Sequence, residues 1–217
     1  MARNTATSQK ITASNNIGGT MFPWTQHAHA KAPNTTTEGY AISQAQLTAI
    51  DIGITVGFRG DVGGDPATLR VGNNPGGVTK GVNSVASYSS GVWYALGTAI
   101  GSTTDYDLWF NGVRADGSTA VFDPSTTNHF ILGAYVSSSA YSGYLNGDLA
   151  MAALWNAKLT DDEMNSLHKG FPPRRVRPQS LIFYAPLVRN VFDWGKNVLA
   201  LTDTGTAASA HPRAYGF

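Results

Sequence analysis

The chain has 217 residues, a formal charge of +1, and only 13% charged residues against 42% hydrophobic ones. So small a charge excludes an electrostatic grip on nucleic acid or an anionic membrane, and no run approaches the ~18 apolar residues of a membrane-spanning helix. With no cysteine, disulfides and thiolate metal sites are excluded too, while abundant Gly, Ser, Thr and Asn point to an all-β, turn-rich chain of single-sandwich size.

Residues 1–37 are polar and irregular apart from Met21-Phe22-Pro23-Trp24. Composition reads them as an N-terminal arm held by a neighbouring subunit. The opening Met1-Ala2-Arg3-Asn4-Thr5 lacks the apolar stretch of a secretory signal, so synthesis in a cytoplasm is expected. His27 and His29 alternate, as two metal ligands on a strand do. With no third ligand nearby in sequence, exposed arm residues explain the pair and no metal is assigned.

The cleanest strand pattern follows, with Ile50, Ile52, Ile54, Val56 and Phe58 facing inward. Ala67, Leu69 and Val71 repeat the alternation between Gly-rich turns, and strands are expected over 92–100 and 106–110. Asn111-Gly112 marks a two-residue hairpin because both positions tolerate positive φ. A further strand is expected over 130–136, followed by a Ser-rich loop, Ser137-Ser138-Ser139, ringed by Tyr135, Tyr141 and Tyr144. Tyr/Ser loops bind well because rigid amphipathic rings lose little entropy. Stacking on a sugar, packing on another protein, and plain edge filler all fit these rings.

Leu145, Leu149, Met151, Ala153 and Trp155 alternate with polar residues, although Ala150, Ala152 and Leu154 dilute the polar side. The strand is therefore expected to be covered on both faces. Thr160 and Glu163 then form a capping box, Asp161 and Asp162 suit the helix N-terminus, and Gly170 suits its end. So short a helix must be a plug, with Leu159, Met164 and Leu167 as its contacts. Pro172-Pro173 ends it, residues 174–178 read as an extended basic connector, and Leu181, Phe183, Ala185 and Leu187 alternate up to an edge-strand end at Pro186.

Several of these residues carry a resemblance. Gly147, Leu149, Trp155-Asn156, Leu159-Thr160, Glu163-Met164 and Leu167 resemble the closing motif of laminin-G-like, concanavalin-type jelly rolls. Gly91-x-Trp93, Leu108-Trp109-Phe110-Asn111-Gly112 and Leu132-Gly133 resemble earlier motifs of that family, in family order. The resemblance implies a two-sheet antiparallel jelly-roll sandwich over residues 38–170, with one short helix near 160–169. Tyr94-Ala95 and Ala150-Met151 stand where the family carries paired His and Asp-Glu, so those polar roles are not carried over. Members of the family can bind calcium, and Asp61, Asp65 and Asp123 lie in turns. Without a dense Asp loop, no cofactor is assigned and calcium stays an open alternative.

Residues 171–217 form a C-terminal extension expected to pack on the sandwich or on a neighbour. Val176-Arg177-Pro178, Tyr184-x-Pro186-Leu187, Asp193, Thr204-Gly205-Thr206 and His211-Pro212 resemble an extension that follows laminin-G-like modules in phage and prophage proteins. That resemblance implies a virion structural protein, a capsid decoration or cement protein bound to the major capsid protein, as a homo-oligomer or on the lattice. Its contacts would be Phe22, Trp24, Arg174, Arg175, Arg177, Phe192, Trp194 and Tyr215. The alternative is a carbohydrate-binding, lectin-like module on a phage tail or fibre, using Tyr135, Tyr141 and Tyr144. Catalysis is not expected, because jelly-roll glycosidases need two flanking carboxylates. The two Glu, Glu38 and Glu163, read as a loop residue and a cap, and Asp105 and Asp107 read as a solvated hairpin face.

Overall fold

The computed structural model describes residues 2–4, 9–13, 23–45, 53–60, 68–73, 80–102, 104–118, 129–137, 140–187, 193–195 and 200–210. Its strands are β1 (Ala2–Asn4), β2 (Lys10–Ala13), β3 (Trp24–Lys31), β4 (Gly39–Ala45), β5 (Gly53–Arg59), β6 (Thr68–Asn73) and β7 (Lys80–Ser87). Next come β8 (Trp93–Ser102), β9 (Asp105–Phe110), β10 (Val113–Ser118), β11 (His129–Leu132), β12 (Tyr135–Ser137) and β13 (Ala140–Ser142). β14 (Asp148–Trp155), the helix α1 (Asp161–His168), β15 (Leu181–Ala185), β16 (Thr202–Thr204) and β17 (Ala207–Ser209) complete the chain.

All but β12 and β13, which pair with each other, build two antiparallel sheets, as expected for a jelly roll. Among the described residues the first has the order β10-β9-β8-β3-β14-β1-β17, with β15 also paired to β14, and the second β16-β2-β11-β4-β5-β6-β7. The inward rows meet in one core, including Trp24, Leu96, Ile100, Leu149, Leu154 and Phe183 from the first sheet. Ile11, Ile42, Ile54, Val56, Phe58 and Phe130 face them from the second. Phe130 and Phe183 meet edge to face across the gap, their centroids 4.7 Å apart. Each such side chain contributes about 1.5–3 kcal/mol by leaving water. At the β9–β10 hairpin Asn111 and Gly112 take φ of 48° and 77°, as the sequence signal requires.

The segment read as an N-terminal arm is not one. β3 is a central strand, flanked by β8 and β14, while β1 and β2 join the first and second sheets. Trp24, expected to contact a partner, is buried in the core. Its strand escaped notice because its outward row, Thr25, His27 and His29, is polar yet buried. The C-terminal extension is likewise integral, since β15 and β17 belong to the first sheet and β16 to the second. Residues 174–178 are not extended either. Pro173–Arg175 and Pro178–Ser180 are single 3₁₀ turns with proline at their starts, where its missing N–H costs nothing.

A second apolar layer explains the buried polar row. α1 lies on the outer face of the first sheet, and Leu159, Met164 and Leu167 pack with Trp109, Ala153, Trp155, Val176, Leu181 and Tyr184. Both halves of the capping box form, and Gly170 takes φ of 85° beyond the helix. Thr25 ties this plug to β3, accepting from the Leu159 amide at 2.9 Å and donating to the Ala157 carbonyl at 2.7 Å. β14 is buried on both faces, but a bulge between Ala150 and Ala153, with Met151 at φ 53°, breaks the simple alternation. Leu149 therefore faces the main core with Ala152 and Leu154, whereas Ala153 and Trp155 face α1.

Candidate functional site

Residues 193–195 bond back onto β15. The carboxylate of Asp193 is fully buried, and its Oδ1 accepts from the amides of Tyr184 at 2.9 Å and Gly195 at 2.7 Å. The Trp194 amide donates to the Tyr184 carbonyl at 2.6 Å. A Cβ at Gly195 would lie 2.6 Å from Phe183 Cα and 2.8 Å from the Ile182 carbonyl oxygen, so the close approach needs glycine. Residues 193–195 are thus clamped to a core strand, while the indole of Trp194 remains 62% exposed.

That ring borders an open groove of about 490 Å³, lined by Arg174, Pro178, Gln179, Leu181, Trp194 and Gly195. Its size suits a small ligand. The two 3₁₀ turns supply Arg174, Pro178 and Gln179, and their placement is set from below. Trp155 Nε1 donates to the Val176 carbonyl at 2.8 Å. Arg177 forks onto Glu163 at 2.8 and 2.7 Å and also donates to the Lys158 carbonyl at 3.1 Å. An indole face, an amide that both donates and accepts, and a guanidinium therefore converge on a rigid base. Such a set can stack on the C–H face of a sugar ring and bond its hydroxyls.

Of the expected partner contacts, the structure brings Arg174 and Trp194 to one groove and leaves Arg175 exposed on the same 3₁₀ turn. Arg177 buttresses the helix, and Trp24 is core. Phe22, Phe192 and Tyr215 lie outside the described residues, as do Asp61, Asp65 and Asp123. Gln179 was not anticipated, because nothing in Pro178-Gln179-Ser180 marks a binding residue before Trp194 is placed beside it.

The tyrosines expected to bind sugar are already engaged. Tyr135 packs on Tyr40 with centroids 4.8 Å apart, and the Tyr40 hydroxyl donates to Glu38 at 3.2 Å. Tyr141 and Tyr144 pack on Ala45, Ile131, Ala134 and Val136, and Lys10 Nζ sits 4.3 Å over the Tyr141 ring. All three are half-buried covers of the second sheet's outer face.

A smaller groove of about 310 Å³ runs between β9 and the start of α1, lined by Asp107, Trp109, Arg114, Lys158, Leu159, Thr160 and Asp161. Asp105 and Asp107 do share a face there. Lys158 Nζ reaches Asp105 at 2.7 Å and Asp107 at 3.0 Å, and Arg114 reaches Asp107 at 3.0 Å. Asp107 is buried rather than solvated, and each carboxylate has a cationic partner. The Lys158 ammonium is held against desolvation by hydrogen bonds to the two aspartates, which leave its pKa raised.

His27 and His29 also share a face, with ring centroids 5.1 Å apart. Burial, then the neighbouring His29 and His168, hold His27 well below its ordinary pKa, and a backbone contact at Met151 offsets only part of this. Among the described residues no third His, Asp or Glu joins them to make a metal-binding group.

Neither a family model nor any curated protein matches the sequence. Solved structures do match the fold. A native heptameric SAP-like pentraxin from Limulus polyphemus is similar at TM-score 0.65 and 13% identity over 95% of this chain and 92% of that one. A putative carbohydrate binding protein from Bacteroides ovatus is similar at TM-score 0.67 and 16% identity, over 95% of this chain and 58% of that one. The enzymatically active domain of tailspike protein 2 from bacteriophage CBA120 is similar at 0.60 and 14% identity, over 82% and 28%. At these identities the likeness establishes the jelly-roll fold.

Proposed function

We propose that this chain is a carbohydrate-binding, lectin-like jelly roll whose sugar seat is the Trp194 groove. The observation that carries the reading is an indole 62% exposed on a turn locked from beneath by a fully buried carboxylate. A large apolar ring left in water on rigid backbone is a prepaid binding surface, since little entropy remains to be lost when a ligand covers it. Gln179 and Arg174 supply the directional bonds. The likeness to a putative carbohydrate binding protein supports the same reading. Binding proceeds without turnover in this account, because Asp105 and Asp107 are each held by cations rather than poised as acid and base. Titration of the purified chain with an array of soluble oligosaccharides should reveal at least one ligand whose affinity falls ten-fold or more, roughly 1.4 kcal/mol, in Trp194→Ala. Full affinity in that variant would remove the groove from the account.

The likeness to a phage tailspike domain and the phage-like C-terminal extension favour a place for this module on a phage tail or fibre. The capsid-decoration reading called for a free arm at residues 1–37 and a free C-terminal tail, and the described parts of both contribute strands to the two sheets. Labelling of purified particles with an antibody to the chain tests the location: tail labelling is expected, and labelling of the head shell would restore the decoration reading.

A further inference from the structure

Resting on the Trp194 groove as the sugar seat, we infer that its ligand is an acidic saccharide, one whose carboxylate is received by Arg174 while its ring stacks on Trp194. The groove's charge is one-sided. Arg174 lines it and its side chain makes no hydrogen bond or ion pair among the described residues, and among the described residues that line the groove none is acidic. The guanidinium of Arg175, exposed on the same turn, is equally without such a bond among the described residues. Asp193, the neighbour of Trp194 in the chain, is fully buried and turned to the amides of Tyr184 and Gly195.

The contrast with the other basic residues sharpens the point. Arg177 is consumed by Glu163, Arg114 by Asp107, and Lys158 by Asp105 and Asp107. Arg174 is instead held over the outer face of β15, where its charge acts on the buried Tyr184 phenol against the upward push of burial. A guanidinium presents paired N–H groups in the geometry of a carboxylate, and such charged hydrogen bonds are roughly twice as strong as those to a neutral hydroxyl. A neutral sugar would draw on Trp194 and Gln179 and leave that difference unused.

The test compares sugars that differ only in charge. The full chain is titrated with trigalacturonate and its methyl ester, and with sialyllactose and its methyl ester. The two pairs separate a uronate from a sialate source of the same carboxylate. Wild-type protein should bind one acid about ten-fold or more tightly than its neutral partner. Raising the salt concentration should shrink that preference, and Arg174→Gln should abolish it while the thermal midpoint stays unchanged. Trp194→Ala should weaken acid and neutral sugar alike. Equal binding of acid and neutral partner, or a preference that survives Arg174→Gln, overturns the acidic inference and leaves the Trp194 seat standing. If none of the four sugars binds in a Trp194-dependent way, the acidic inference falls, and the Trp194 seat falls with it only if the wider oligosaccharide array also yields no Trp194-dependent ligand.

Discussion

Two aromatic regions of this molecule look alike as sequence and behave oppositely as structure. The tyrosines around β12 and β13 form the denser cluster, yet Tyr135 is spent on Tyr40, and Tyr141 and Tyr144 on the apolar patch beneath them. Trp194 has no aromatic partner among the described residues, but its backbone is fixed by Asp193 and its ring is left in water. An aromatic residue becomes a binding surface when its backbone is satisfied and its face is not. Local density of rings says little about either.

The first way to break the comparison is to remove a covering ring. Tyr40 is 7% exposed, so Tyr40→Ala should cost about 3 kcal/mol or more, as other buried aromatic truncations do, read as a shift in urea midpoint. Sugar affinity of the folded fraction should not change. An unaltered midpoint would mean that the tyrosine cluster is not structural. Next comes the clamp. Asp193→Ala leaves the amides of Tyr184 and Gly195 without their shared acceptor, at about 1–3 kcal/mol, and should also loosen Trp194 enough to weaken binding. Asp193→Asn, which keeps an acceptor oxygen, should recover part of both.

Acid separates the two kinds of region in another way. His27 stays neutral in the fold well below its ordinary 6.5, whereas the unfolded chain takes up that proton at the ordinary value. The unfolded state thus binds more protons as pH falls below 6.5, and stability drops by about 1.4 kcal/mol per pH unit until the depressed folded pKa is reached. Above the ordinary value the effect vanishes. His129 and His168 are shifted in the same direction and add the same sign. Urea midpoints across this range should slope accordingly, and His27→Gln should flatten them. Among the described residues no histidine lines the Trp194 groove, so the affinity of the folded protein should stay level. The smallest effect is on stability at the groove itself. Trp194→Ala should fall within about 0.5 kcal/mol of wild type, as exposed substitutions do, and a larger loss would reclassify the ring as a cover.

The elements that could be read from the sequence were those whose cause is local. The row Ile54, Val56, Phe58, the Asn111-Gly112 turn and the Thr160–Glu163 box each specify their structure within a few residues. β3 was hidden because its outward Thr25 and His27 are buried by α1 and the segment leading into it, about 130 residues away, a cover that no local pattern announces. The groove was hidden for a similar reason. Arg174 and Trp194 could each be picked as contacts, but only the reach of Asp193 back to Tyr184 puts them together with Gln179.

Selective oxidation of the five tryptophans by N-bromosuccinimide, mapped by mass spectrometry with and without bound sugar, tests the central claim most directly. Trp24, Trp109 and Trp155 are buried, and Trp93 is partly covered with Lys31 over its ring. Trp194 should therefore react first, and a bound oligosaccharide should slow that reaction alone. A sugar that binds while Trp194 oxidises at its free rate would contradict the account.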